Sequence, residues 1–149
     1  MTQNEKDLLL KDLCARLPYG VKFVIDNGQN NVRTLTGICE AIPYEDWQMC
    51  VFARDISAIP IEDIKPYLFP LSSMTEEQKE EISKRYNYHN PYELCVEITN
   101  HSEGYWDNDT SCNLQDYLWL EDWFNKNHFD YRGLIPMGLA IDATGLKIY

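Results

Sequence analysis

Apolar residues recur at helical spacing at the start of the chain. Leu9, Leu13 and Leu17, joined by Leu10 and Cys14, form one stripe that predicts a helix over residues 2–17. Thr2 and Glu5 stand three apart as capping-box partners, and Pro18-Tyr19-Gly20 ends the helix. From Val21 the period shortens to that of strands. Val21–Ile25, Val32–Cys39, Trp47–Ala53 and Asp55–Ile59 read as four short strands. A turn carrying Asn27-Gly28 joins the first strand to the second, Pro43–Asp46 joins the second to the third, and Gly37 marks a bulge or sharp bend. Ile61–Ile64 is a single helical turn.

Lys65–Met74 holds two prolines, which exclude regular helix and keep it extended, fastened by Tyr67, Leu68, Phe69 and Leu71. Thr75, boxed with Gln78, starts a second helix that is mostly polar apart from Ile82 and Tyr86. Glu93–Thr99 has a strand's alternation and residues 100–113 read as loop. Leu114–Phe124 forms an aromatic helix, on which Tyr117, Leu120, Trp123 and Phe124 share a face and Leu118 and Trp119 fall outside it. Past Pro136 the tail reads as short irregular pieces.

The expected fold is α+β in one domain spanning residues 1–149. A small SH3-like barrel, or a strongly bent antiparallel sheet, occupies about residues 21–60. The N-terminal helix and the aromatic helix pack against it, since short strands must have their edges covered. A chain of 149 residues buries roughly 70% of its unfolded surface and needs no staple.

Charge narrows the partners. The net charge is −11 and lies mainly in the second half. Residues 1–74 hold 7 Lys+Arg against 10 Asp+Glu, and residues 75–149 hold 6 against 14. No Lys or Arg falls between Arg85 and Lys126. Such a surface repels phosphate backbones and attracts basic partners. The polar start has no secretory h-region, and no apolar run approaches the ~20 residues of a membrane helix. The expectation is a cytoplasmic protein off the membrane. Cys14, Cys39, Cys50, Cys95 and Cys112 lack zinc or redox spacing and read as buried reduced thiols acting as small apolar residues. Cys39 and Cys50 are spaced to face each other across a hairpin, with no bridge expected in a reducing cytoplasm.

Four constellations carry candidate chemistry or binding. His128, Asp130 and Arg132 alternate as on an extended segment, which would place an acid–base pair beside an anion-holding arginine. Paired charges and backbone caps are the structural alternative, as no nucleophile or phosphate loop accompanies them. Asp107-Asn108-Asp109-Thr110-Ser111 alternates oxygen ligands but lacks the glycine and the later bidentate glutamate of a calcium loop. His89 and His101, near Glu93 and Glu103, lack zinc spacing, so no metal or cofactor is expected. Trp119, Tyr105 and Trp106, set among Asp107, Asp109, Asp116 and Asp122, form an acidic aromatic surface for binding.

Leu13–Lys22, Ile64–Thr75 and Asp122–Ile135 together resemble short proteins encoded in gut Bacteroidales genomes, their prophages and mobile elements. Phe69 stands where those proteins often carry arginine. The resemblance covers about a third of the chain and implies a habitat, with no activity attached. The leading expectation is a non-enzymatic module that binds a basic protein, such as a host protein that itself binds nucleic acid. A small hydrolase or transferase using His128, Asp130 and Arg132 is the alternative, and a structural homo-oligomer is the third.

Overall fold

The computed structural model describes residues 1–26, 31–43, 48–86 and 114–149, with backbone alone at positions 56, 57, 86, 114 and 116. The expected strand at Glu93–Thr99, the Asp107–Ser111 loop and the turn residues 27–30 and 44–47 lie outside the described residues. The fold is α+β, and no described helix is long and apolar enough to cross a membrane.

Helix α1 spans Gln3–Arg16. The Thr2 hydroxyl accepts the Glu5 N–H, and the Glu5 carboxylate accepts the Thr2 N–H, which satisfies donors the first turn leaves open. A 3-10 turn at Leu17–Tyr19 closes on Gly20, whose φ of 64° places it in the left-handed region that glycine adopts without strain.

Seven short strands follow among the described residues: β1 (Lys22–Ile25), β2 (Arg33–Thr34), β3 (Gly37–Ala41), β4 (Gln48–Ala53), β5 (Ile56–Pro60), β6 (Ile64–Leu68) and, far later, β7 (Ile141–Asp142). They form two sheets, ordered β2-β1-β6-β7 and β3-β4-β5. The single return strand expected at Val32–Cys39 is divided between them. Leu35 N–H donates to Val21 O in the first sheet, and Thr36 N–H donates to Phe52 O in the second, each at 2.9 Å. The bend therefore sits at Leu35–Thr36 and not at Gly37, where a Cβ would meet only an ordinary contact with Phe52. Leu35, 2% exposed, holds the bend in the core.

No described ladder closes the strands into a barrel. Nor is the pairing wholly antiparallel, because β7 runs parallel to β6, with Tyr67 opposite Ile141. A parallel neighbour needs a long crossover, and here the crossover contains the two other helices of the described residues. These are α2 (Glu76–Tyr86) and α3 (Leu114–Lys126). The extended connector after the 3-10 turn at Ile61–Asp63 is strand β6 itself, central in its sheet.

Alternation along β1 and β6 sends side chains to two cores. Phe23, Ile64 and Leu68 join Leu9 and Leu13 of α1 in the main core, while Val24 and Tyr67 turn to the other face and pack with Ala143 of the tail. A separate aromatic cluster joins α2 and α3 through Met74, Ile82, Leu120, Trp123, Phe124, Phe129 and Tyr131. The aromatic helix thus heads a core of its own and meets α1 along one side.

Candidate functional site

The densest polar chemistry lies where α1, α3 and residues 128–135 meet, and it is buried. Asp12 and Arg16, one turn apart on α1, are both 0% exposed. Arg16 grips the carboxylate with two bonds, Nε to Oδ2 at 2.7 Å and Nη2 to Oδ1 at 2.9 Å. Its guanidinium also donates to Phe129 O at 2.7 Å and to Phe124 O at 3.4 Å, so it serves carbonyls at and beyond the end of α3. Both carbonyls also accept a backbone N–H, Phe124 O from Phe129 and Phe129 O from Tyr131, so Arg16 takes up their second acceptor positions.

Arg132 completes the cluster. Its Nη1 donates to Asp12 Oδ1 at 2.9 Å and to Asn125 Oδ1 at 3.4 Å, and its Nη2 donates to Glu121 Oε1 at 2.7 Å. The Tyr131 hydroxyl lies 3.1 Å from both Glu121 Oε1 and Asn125 Oδ1 and donates to one at a time. Both guanidiniums lie beside the Tyr131 ring, Arg132 at 4.3 Å from its centroid and Arg16 at 5.7 Å. Burial pushes the Tyr131 phenol above its usual range, a shift that the Arg132 charge partly opposes. Two arginines face two carboxylates, so the cluster is close to neutral and its charges are mutually satisfied.

The sequence places His128, Asp130 and Arg132 on one extended edge; the structure gives each a separate task. His128 has a φ of 59°, and Tyr131 and Arg132 lie in a turn, so the alternation of a strand does not apply. Asp130 folds back as a cap, its oxygens accepting the N–H groups of Leu134 at 2.8 Å and Ile135 at 2.7 Å. Burial raises its carboxyl pKa, and those two N–H groups pull the other way. Its own N–H donates to Phe69 O at 2.7 Å, while Phe69 N–H donates to His128 O at 2.9 Å, which ties the segment to the end of β6.

His128 is 8% exposed and stacks on Tyr149, with ring centroids 4.0 Å apart and planes 15° apart. Its Nδ1 is buried without a partner. Burial, then the Arg16 charge, lowers its pKa to about 4, so the ring is neutral near pH 7. A shallow groove of about 480 Å³ runs beside it, bordered by Phe69, Thr75, Gln78, Lys126 and Tyr149. The hydroxyls there are already engaged: Ser73 donates to Pro70 O at 2.7 Å, and Thr75 accepts the Gln78 N–H. The Thr75 hydroxyl also hydrogen-bonds the Glu77 carboxylate.

Among the expected binding residues, Tyr105, Trp106, Asp107 and Asp109 lie outside the described residues, as does the Asp116 side chain. Trp119 is half-buried, 6.5 Å from Trp123 between ring centroids, with the Arg85 guanidinium 4.7 Å over its ring. Asp122 is exposed and accepts the Tyr19 hydroxyl. Leu118 is 48% exposed. No group of three or more His, Cys, Asp or Glu suited to a metal occurs among the described residues.

Asp12, Arg16 and Tyr149 are the polar residues that sequence reasoning passes over. An aspartate and an arginine four apart read as a solvated pair, and only Leu9 and Leu13 beside them hint that they share a buried face. Compared with family models, curated proteins and solved structures, the chain matches none.

Proposed function

We propose that the protein is a non-enzymatic binding module of a phage or mobile-element gene set, which engages a basic protein through the outer side of α3. The observation that carries the reading is Leu118. It is 48% exposed, while Leu120, Trp123 and Phe124 of the same helix are buried. Exposed Gln115 and Asp122 flank it one turn away on either side. An isolated exposed leucine is ordinary; its setting gives this one direction. No Lys or Arg falls between Arg85 and Lys126, and the net charge of −11 favours a cationic partner. Trp119 next to it already receives the Arg85 guanidinium, the kind of contact a basic partner makes.

The enzymatic alternative loses support because the oxygens of Asp130 and the guanidinium of Arg132 are engaged inside the fold. For the β region, an SH3-like barrel, opened between its sheets, is the reading we prefer. The strand that changes partner at Leu35–Thr36 and the 3-10 turn between β5 and β6 support it. The resemblance to proteins of Bacteroidales prophages and mobile elements supports the setting.

A labelled Lys/Arg-rich peptide with interspersed leucines is the probe, titrated by fluorescence anisotropy. Leu118→Ser is expected to weaken binding about tenfold, roughly 1.4 kcal/mol, and added salt to weaken it further. Undiminished binding by Leu118→Ser would overturn the proposal. A molar mass that doubles with concentration in light scattering, and reverts in Leu118→Ser, would assign the same face to self-association instead.

A further inference from the structure

We infer that Cys39 and Cys50 form a thiol–disulfide exchange site whose substrate is a low-molecular-weight disulfide. Cys39 of β3 lies directly opposite Cys50 of β4, at the centre of a register running from Gly37↔Phe52 to Ala41↔Gln48. Directly opposed residues of an antiparallel pair project to the same face. Their Cα atoms lie about 4.5–5.5 Å apart, inside the roughly 4.4–6.8 Å a disulfide spans. The neighbouring pair, Ile38 and Val51, turns into the main core, so both thiols stand on the opposite face of the sheet.

Their exposures differ in a way that assigns roles. Cys39 is exposed, whereas Cys50 is 0% exposed. Burial and the proximity of Cys39 raise the Cys50 thiol pKa, which keeps it protonated and shielded from reagents in solution. Cys39 is the thiol a small disulfide reaches first. As thiolate it attacks one sulfur of oxidised glutathione; that S–S bond breaks, and the expelled glutathione thiolate takes up a proton. Cys39 Sγ now holds glutathione in a mixed disulfide. Cys50 gives its proton to water and attacks Cys39 Sγ, the cross-strand bond forms as the mixed disulfide breaks, and the released second glutathione thiolate takes up a proton. Two protein thiols are oxidised and one small disulfide is reduced to two thiols, so atoms and electrons balance. The second step is intramolecular, and the fixed register gives it a high effective concentration.

The experiment treats the intact protein with oxidised glutathione, alkylates the remaining thiols and maps the peptides. Cleavage at Arg33 and Arg54 releases both cysteines in one peptide. The expected product is that peptide without alkyl groups and lighter by two hydrogens. Cys50→Ser, and Cys50→Ala should the serine variant unfold, is expected to stop at a glutathione adduct on Cys39. Cys39→Ser is expected to leave Cys50 as free thiol. No reaction at Cys39 would overturn the inference. So would a wild-type protein that keeps the adduct as fully as the Cys50 variants, or a bridge that instead joins either residue to Cys14, Cys95 or Cys112.

Discussion

One carboxylate, that of Asp12, holds two arginines, Arg16 from its own helix and Arg132 from 120 residues further along the chain. Arg16 in turn donates to the carbonyls of Phe124 and Phe129. The first helix, the end of the aromatic helix and the loop after it are therefore joined through a single buried ion cluster. Because the cluster lies between the main core and the aromatic one, it sets how the two pack together.

Removing Asp12 leaves two buried guanidiniums against one carboxylate. Asp12→Ala is expected to cost about 3–5 kcal/mol, read from the urea midpoint. The double variant Asp12→Leu/Arg16→Leu is expected to recover part of that loss, since it removes a neutral pair and adds apolar contact. A double variant less stable than Asp12→Ala would contradict this account.

His128 makes stability depend on pH. Its folded pKa of about 4 lies below the ordinary histidine value of 6.5, so between those values the unfolded chain binds more protons. Stability then rises with pH. The contribution is full above about pH 6.5 and is lost as pH falls towards 4, by roughly 3 kcal/mol in all. Asp130, whose pKa is raised, acts in the opposite sense, so the comparison is made against a variant. His128→Asn tolerates the left-handed backbone and is expected to flatten the acid limb of the urea-midpoint profile. An unchanged slope would show that His128 is not its source.

Asp130 is a cap in this fold. Asp130→Ala strands two N–H groups, those of Leu134 and Ile135, and is expected to cost at least about 2 kcal/mol. Asp130→Asn keeps one acceptor and is expected to lose less. Hydrogen exchange at Leu134 and Ile135 reads the effect directly, and protection that survives in the alanine variant would rule the cap out.

Tyr149 is 46% exposed, yet its hydroxyl is fixed between two strands. It donates to Tyr67 O at 2.8 Å and accepts the Lys22 N–H at 3.0 Å. Burial there pushes the phenol up to about 12. Tyr149→Phe keeps the stack on His128 and is expected to cost about 1 kcal/mol in thermal or urea unfolding. In ultraviolet titration the phenolate step that disappears in this variant should lie near pH 12.

Leu118→Ser removes an exposed side chain and should leave stability within about 0.5 kcal/mol of the parent chain. Weakened peptide binding in this variant would then report the surface and not the fold. A larger loss of stability would mean that Leu118 is covered in solution.

Features governed by neighbours in sequence were legible from the chain alone. The Thr2–Glu5 and Thr75–Gln78 boxes, the 3-10 turn at Ile61–Asp63 and the apolar face of Leu120, Trp123 and Phe124 follow from local hydrogen bonding and side-chain period. Net charge and the absence of Lys and Arg between Arg85 and Lys126 also belong to the sequence.

The tertiary structure decided which charges are buried and with whom. Asp12 and Arg16 have the spacing of a surface pair, and only the arrival of Arg132 and the carbonyls of Phe124 and Phe129 takes them out of water. Spacing leaves the His128–Arg132 edge open between a site and paired charges with backbone caps, and the left-handed His128 and the Asp130 bonds to Leu134 and Ile135 supply the caps. The bend at Leu35–Thr36 and the parallel return of β7 likewise depend on partners distant in the chain. Local periodicity carries no term for such partners, whereas burial of a charge depends on nothing else.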